Sequence, residues 1–148
     1  MKKSGKVTQI RIGREKGSPR ESLREGFFKV NFGLAGDTRS GPGEKQVTLF
    51  GVKGRKKLKA SPEEGLCFQR FVETITTEGI DLYQFPTGTR LEIGESIQEI
   101  SRAGKKCYPE CVLIRNKKPC IMPEEVVFTR VIEGGTVRVG DAVEVLTD

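Results

Sequence analysis

The sequence predicts a mainly β protein whose sheet is curled into a barrel or sandwich. Residues 8–12 and 28–32 alternate apolar and polar side chains, as half-buried strands do. Residues 47–50 have the composition of a fully buried strand. Most of the 18 glycines lie between such short runs, where a chain turns sharply or adopts positive φ. A closed or curled sheet would remove the unpaired edges of so many short strands.

Further elements follow along the chain. Residues 88–97 and 135–145 each show an alternating strand, a turn with glycine and an acidic residue, and a second strand, which predicts two hairpins. Residues 71–82 predict a strand that enters a turn. Helices are few: one is predicted over 61–71, with Ser61 as its cap and Pro62 in its first turn, and a short one from Pro123.

The length of 148 residues fits one domain that spans the chain, 1–148. No apolar run approaches the roughly 18 residues that cross a bilayer, and the basic start leads into no signal-peptide core. We therefore expect a cytoplasmic protein without a membrane partner. In such a compartment the four cysteines are expected to be thiols or metal ligands rather than disulfides.

Histidine is absent from the sequence. A nucleophile activated by histidine is therefore excluded within this chain. A cysteine can still act if a neighbouring charge stabilises its thiolate. Lys105 and Lys106 directly precede Cys107, and such neighbours lower the pKa of a thiol from its usual value of about 8.5. Cys107 is thus the first candidate for a nucleophile or sulfur carrier.

The other cysteines allow a second interpretation. Cys107 and Cys111 have a spacing compatible with zinc, and Cys67 would complete a site with Cys120. This interpretation is less favoured, because Cys120 belongs to no second close pair. Cys67 lies on an apolar helical face beside Phe68, where a cysteine usually acts as a small buried hydrophobe.

The formal net charge of +6 favours an anionic partner: a nucleic acid, a phosphorylated small molecule or an acidic protein. The densest basic cluster, 53–59, predicts a solvated loop or a frayed helix end. Two tyrosines and no tryptophan supply few platforms for stacked bases, which argues against nucleic acid.

A glycine-rich loop at 33–43 separates two predicted strands. Its glycines permit close backbone approach to a ligand, and Arg39 and Lys45 are suited to a phosphate or carboxylate. The loop lacks the spacing of a nucleotide P-loop. It is either a tight connection or an anion-binding site.

These segments, in this order and over nearly the whole chain, resemble the MOSC family in its small standalone form. The family is named for the C-terminal domain of molybdenum cofactor sulfurases. The stretches that carry the resemblance include Gly33-Leu34-Ala35-Gly36-Asp37, Gln46-Val47-Thr48-Leu49, Glu73-Thr74-Ile75-Thr76-Thr77-Glu78-Gly79, Gly104-Lys105-Lys106-Cys107 with Cys111, Phe128-Thr129-Arg130-Val131 and Val139-Gly140-Asp141.

The resemblance implies a MOSC-type β-barrel with a few short helices and a cysteine that carries sulfur as a persulfide. That cysteine is Cys107, which is also the candidate metal ligand. Independently of the resemblance, Cys111 is the second candidate catalytic residue, because it lies four residues on and would resolve a persulfide on Cys107 or help to hold a metal. The implied ligand or target is the molybdenum cofactor (molybdopterin). Its binding residues would be Gly36, Asp37, Arg39, Lys45, Gln46 and Lys105.

The resemblance also implies partners. The sulfur donor would be a separate pyridoxal-phosphate-dependent cysteine desulfurase, because this chain is too short to contain one, and no pyridoxal phosphate is expected here. The acceptors would be molybdenum cofactor biosynthesis proteins or molybdoenzymes. Two alternatives stay open: a non-catalytic module that binds the cofactor or another anionic pterin, and a basic nucleic-acid-binding barrel.

Overall fold

The chain folds mainly into β-strands. The computed structural model describes residues 3–15, 19–60, 73–103 and 125–146. The strands are β1 Ser4–Ile12, β2 Glu21–Leu23, β3 Glu25–Lys29, β4 Gly33–Leu34, β5 Val47–Gly51, β6 Ile75–Glu78, β7 Arg90–Ile93, β8 Ser96–Ala103, β9 Val127–Glu133, β10 Gly135–Arg138 and β11 Ala142–Val145. Helical structure in these ranges includes α1 Val52–Ala60 and a 3₁₀ helix at Leu82–Gln84, and Glu125 is also helical.

Seven strands close into a barrel. The order β1-β6-β5-β9-β8-β7-β11 is hydrogen-bonded throughout, and β11 pairs back onto β1. Strands β5 and β6 run parallel, whereas the other pairs in the ring are antiparallel. Strand β2 pairs with the end of β1 and does not belong to the ring. A separate small sheet has the strand order β10-β3-β4. The predicted mainly β barrel is confirmed.

The barrel interior is filled by side chains that alternate along the strands. Ile10 and Ile12 of β1 and Leu91 and Ile93 of β7 are buried, with exposed or half-buried residues between them. Full burial of one such side chain contributes roughly 1.5–3 kcal/mol. The interior also contains buried polar side chains joined by hydrogen bonds. Thr129 Oγ1 donates to Gln98 Oε1 at 2.5 Å, and Gln98 Nε2 donates to Ser96 Oγ at 3.2 Å.

The first predicted hairpin is confirmed and the second is wrong. Strands β7 and β8 pair antiparallel across a tight turn. Strand β10, in contrast, pairs with β3, while β11 pairs with β7 and β1. The turn between β10 and β11 is bonded to distant segments, since Gly140 N–H donates to Val7 O at 2.7 Å and Val139 N–H donates to Arg24 O at 2.8 Å.

The strand predicted at 28–32 is shifted toward the N-terminus, because β3 covers Glu25–Lys29. The backbone then reverses through Asn31, whose φ is 54°, a left-handed conformation that extended strands do not contain. Phe32 N–H donates to Lys29 O at 3.2 Å and closes the turn. The alternation at Val30 and Phe32 therefore belongs to a turn and not to a strand.

Helix α1 lies on the outer side of β5 and β6. It replaces the solvated loop or frayed helix end predicted for the basic cluster 53–59. Gly54 allows the helix to approach β5, because a Cβ at this position would lie 2.5 Å from the ring of Phe50. No helix in the described ranges is long and apolar enough to cross a membrane. The helices predicted over 61–71 and at Pro123 lie outside the described residues, except for Glu125.

Candidate functional site

The glycine-rich loop connects β4 to β5 and is held by its own backbone. Gly33 has φ 112°, and a side chain at this position would overlap the carbonyl oxygen of Gln46. Ser40 Oγ donates to Leu34 O at 2.7 Å. Gly36, with φ 86°, turns the chain just before Asp37. The loop therefore has a fixed course that glycine makes possible.

Asp37 and Arg39 form a close ion pair within this loop. The side chain of Asp37 is buried, with 1% exposed, whereas 26% of the Arg39 side chain is exposed. Asp37 Oδ1 accepts from the Arg39 backbone N–H at 2.8 Å and from Nε at 3.3 Å, and Oδ2 accepts from Nη2 at 3.1 Å. Asp37 thus orients the guanidinium of Arg39 rather than facing solvent itself.

Gln46 is a buried link between three segments. Its Nε2 donates to Asn31 Oδ1 at 2.9 Å and to Gly43 O at 3.0 Å, and its Oε1 accepts from the Val131 backbone N–H at 3.0 Å. The amide therefore joins the turn after β3, the glycine-rich loop and β9. These bonds give Gln46 a framework role at the loop, beside its predicted role in cofactor binding.

Lys45 and its neighbour Glu44 reach the outer side of β8 and β9. Lys45 Nζ lies 5.3 Å from the ring centre of Phe128, a distance suited to a cation–π contact. Glu44 Oε1 accepts from Arg102 Nη1 at 3.2 Å, and Ser101 Oγ donates to the Glu44 carbonyl oxygen. The end of the loop is thereby fastened next to the last residues of β8.

The four cysteines and Lys105 lie outside the described residues, but the strands that flank 104–124 are defined. Ala103, the last residue of β8, is opposite Val127, the first residue of β9. The chain thus leaves and rejoins the barrel at neighbouring strand positions. The structure brings together Gly36, Asp37, Arg39, Lys45 and Gln46 of the predicted site in one loop.

A groove lies at the start of α1. It has a volume of about 200 Å³, and α1 and the turn after β6 form its walls. Lys53 and Lys56 line one side, and Glu78 and Asp81 line the other. A separate cavity of about 20 Å³ shares Lys53 and Asp81 with the groove and is also lined by Glu125. The sequence did not predict this groove, because its two walls come from separate segments.

A buried charge cluster was also missed. Glu73, with no exposed side-chain surface, accepts hydrogen bonds from Arg55 of α1 and from Thr76 Oγ1, the latter at 2.8 Å. Arg11 Nη1 lies 3.9 Å from Glu73 Oε2. Glu73 is thus held by cations from two separate elements, α1 and β1. Within the described ranges, no group of three or more metal-binding side chains is present.

The described part of the chain is thus a closed seven-stranded barrel with a glycine-rich loop at its wall. No family model and no curated protein sequence matches the chain. Solved structures do. The YuaD protein of Bacillus subtilis has a TM-score of 0.71 and 16% identity, and the match covers 96% of this chain and 95% of that one.

Two further structures extend the comparison. A protein described as hypothetical has a TM-score of 0.71 and 18% identity, with 98% of this chain and 67% of that chain covered. YiiM of Escherichia coli has a TM-score of 0.65 and 16% identity, with 98% of this chain and 70% of that chain covered. At these identities the similarity shows a shared fold.

Proposed function

We propose that the protein is a MOSC-type domain that carries sulfur on Cys107 for the molybdenum cofactor. The proposal depends most on one observation. The segment that contains Cys107, Cys111 and Cys120 starts and ends at paired positions of β8 and β9, and the glycine-rich loop is fastened to the same two strands. The glycine-rich loop therefore lies near the strand positions between which residues 104–124 are connected, and this supports a combined role for the two predicted parts.

The loop fits the phosphate end of a pterin cofactor. Arg39 is oriented by a buried carboxylate and is still partly exposed, and Lys45 adds an exposed cation. Guanidinium groups held in this way are suited to phosphate, since they offer paired N–H donors. The metal end of the cofactor would depend on Cys107, whose thiolate is a typical ligand for a soft metal centre.

Sulfur transfer needs a thiolate and does not need histidine. The thiolate of Cys107 would attack the terminal sulfur of a persulfide on the donor enzyme. A new sulfur–sulfur bond forms on Cys107, the sulfur–sulfur bond of the donor breaks, and the donor cysteine leaves as a thiolate. The exchange is balanced without an external oxidant or reductant. A pyridoxal-phosphate-dependent cysteine desulfurase is the proposed donor, and molybdenum cofactor biosynthesis proteins or molybdoenzymes are the proposed acceptors.

Mass spectrometry of the intact protein tests the proposal. The protein is incubated with a cysteine desulfurase and cysteine, and peptides are then mapped for a persulfide. We expect a gain of one sulfur atom on Cys107 and no gain in Cys107→Ser. Cys67→Ser is the matched control and should gain sulfur as the wild type does. A Cys107→Ser protein that still accepts sulfur at full stoichiometry would reject the assignment.

A binding module without sulfur transfer is the second candidate, favoured by the fixed course of the glycine-rich loop around the Asp37–Arg39 pair. Such a module would bind a phosphate-bearing pterin but acquire no persulfide. Calorimetry with the pterin, performed beside the persulfide assay, separates the two candidates. Persulfide formation supports the carrier, and binding without persulfide supports the module.

A further inference from the structure

The groove at the start of α1 has one basic and one acidic wall. Lys53 and Lys56 are three residues apart on the helix, so they lie on one face of it, and both line the groove. Glu78, at the end of β6, and Asp81 line the second wall. Lys6 pairs with Glu78 in the register of β1 and β6 but is not among the residues that line the groove. Within the described ranges, no hydrogen bond or ion pair engages the side chains of the four lining residues. Two positive and two negative charges are therefore available to a molecule in the groove.

The acidic wall is held in place by its backbone. Gly79 has φ 89°, a left-handed conformation that glycine adopts without strain. The turn packs so closely on β1 that a Cβ at Gly5 would lie 2.5 Å from the carbonyl oxygen of Glu78. Asp81 is the N-cap of the 3₁₀ helix, and its carbonyl oxygen accepts from Gln84 N–H at 3.1 Å. The carboxylate of Asp81 makes no capping hydrogen bond, although aspartate is a preferred capping residue. It is thus available for another partner.

The basic wall is positioned by the contacts of α1 with the barrel. A Cβ at Gly54 would lie 2.5 Å from an aromatic ring of β5, so the helix packs directly on that strand. Arg55 Nε donates to Glu73 Oε1 at 3.1 Å and adds a polar contact. Lys53 and Lys56 extend from exposed positions of the same helix. Because the backbone of both walls is fixed, little backbone entropy is lost when a molecule binds between them.

A buried hydroxyl lies where the groove adjoins the smaller cavity. Thr77 lines both of them and is 2% exposed. Its hydroxyl forms no hydrogen bond within the described ranges. Buried hydroxyl groups almost always have a partner, because an unsatisfied one costs free energy. The partner of Thr77 is thus a molecule in the groove or in the cavity, and this second observation points to the same place as the four charges.

We propose that the groove binds a small zwitterion, an amino acid with one ammonium and one carboxylate group. The carboxylate accepts from Lys53 and Lys56, the ammonium group donates to Glu78 and Asp81, and the hydroxyl of Thr77 bonds to the same molecule. An anion or a cation would be attracted by one wall and repelled by the other, whereas a zwitterion is attracted by both. The volume of about 200 Å³ is below the roughly 300–1,000 Å³ of sites for drug-sized ligands, which favours a small molecule. The inference does not depend on sulfur transfer or on the pterin.

Calorimetry on the full chain at low salt tests the site with glycine, β-alanine and 4-aminobutyrate. These probes carry the same two charges at increasing separation, and at least one of them should bind. The N-acetyl derivative of that probe lacks the positive charge, and its amide lacks the negative charge. Each derivative should bind at least roughly tenfold more weakly, because it loses hydrogen bonds between charged groups. Absence of saturable binding for all three probes, or equal affinity of either derivative, would overturn the proposal.

Charge variants test the two walls separately. Lys53→Gln and Asp81→Asn each remove one charge and should weaken binding of the amino acid by roughly tenfold. Lys29→Gln is the matched control, because it removes an exposed lysine of β3 that lies 5.1 Å from the ring centre of Phe32. The control should change affinity less than twofold. Circular dichroism confirms that each variant is folded at the temperature used. An equal loss in Lys29→Gln would overturn the proposal, since any loss of positive charge would then have the same effect.

Thr77→Val separates binding from stability. Valine keeps the branched shape of threonine and lacks the hydroxyl, which has no partner in the described part of the chain. The melting temperature should therefore be equal to that of the wild type or higher, whereas affinity for the amino acid should fall by roughly threefold to tenfold. A lower melting temperature together with an unchanged affinity would overturn the proposal, because the hydroxyl would then serve the fold and not the ligand.

Discussion

The carboxylate of Glu73 lies beneath the guanidinium of Arg55 and joins helix α1 to the barrel. Arg55 Nε is 3.1 Å from Oε1 and 3.4 Å from Oε2, and Nη2 also donates to Oε1. The Arg55 guanidinium also lies 5.4 Å from the ring centre of Phe50. The ion pair thus gives the lysine-rich helix α1 a polar contact with the barrel.

Glu73→Ala should destabilise the protein strongly, because it removes the negative charge between Arg55 and Arg11. Loss of one partner from a buried ion pair costs about 3–5 kcal/mol. Urea unfolding measures the free energy of unfolding. The control is Glu21→Ala, which breaks an exposed pair with Arg14 and should cost about 0–1 kcal/mol. Equal free energies of unfolding for the two variants would contradict a stabilising role of the buried Glu73–Arg55 pair.

Gln46→Ala should loosen the junction between the glycine-rich loop and β9. The Val131 backbone N–H loses its acceptor, and an unsatisfied buried donor costs about 1–3 kcal/mol. Hydrogen exchange under native conditions should become faster at the Val131 amide. The Val145 amide, which donates to Lys3 O at 2.8 Å on another part of the barrel, serves as the reference. Equal acceleration at both amides would indicate a global effect and argue against the local link.

The elements predicted correctly are those that local pattern determines. Strand β1 and the hairpin of β7 and β8 alternate side chains and have glycine at the turn, so neighbouring residues suffice. The turn between β10 and β11 has similar local chemistry, but Val7 and Arg24 hold it. Because those partners are far away in sequence, the second hairpin was predicted wrongly. The reversal at Asn31 likewise involves a residue farther along the chain, because Gln46 Nε2 donates to Asn31 Oδ1 at 2.9 Å.

The same distinction applies to the site. The cations Arg39 and Lys45 were found because they lie within one glycine-rich stretch. The contact between Arg20 and the backbone of Gly13 was not predicted, since only the pairing of β2 with β1 brings the start of β2 next to the end of β1. Glu73 was not recognised as the centre of a charge cluster, because its partner Arg55 is 18 residues away. The sequence predicted either a loop or a helix end for the segment that contains Arg55.

Two glycines of the loop provide a matched test of its geometry. Gly33 and Gly43 have similar positive φ values of 112° and 123°. A Cβ at Gly33 would overlap the carbonyl of Gln46, whereas a Cβ at Gly43 would meet nothing within 4 Å. Gly43→Ala should cost only the backbone strain, about 1–2 kcal/mol. Gly33→Ala adds overpacking of about 1–3 kcal/mol. Thermal or urea unfolding that ranks Gly43→Ala as the more damaging change would contradict this geometry.

The last prediction concerns the reactivity of Cys107. If Lys105 and Lys106 stabilise its thiolate, Cys107 should react with iodoacetamide faster than Cys67 at pH 7. A decrease of one pKa unit raises the thiolate fraction by roughly tenfold well below the pKa, and reduced nucleophilicity with a Brønsted slope of about 0.4–0.5 leaves a rate gain of roughly threefold. The rates are measured by site-mapped mass spectrometry at pH 7 and at high pH, where all thiols are ionised.

Burial of Cys67 alone would also slow its alkylation, so the decisive comparison keeps the cysteine and changes its neighbours. In Lys105→Gln with Lys106→Gln, the pKa of Cys107 should rise, and alkylation of Cys107 at pH 7 should slow by roughly threefold or more. At high pH the rate should not fall, because the thiolate is complete in both proteins and the less acidic thiol is the better nucleophile. Cys111→Ser is included because two nearby thiols titrate as a coupled pair. An unchanged rate at pH 7 in the double variant would remove the electrostatic basis for choosing Cys107 as the carrier.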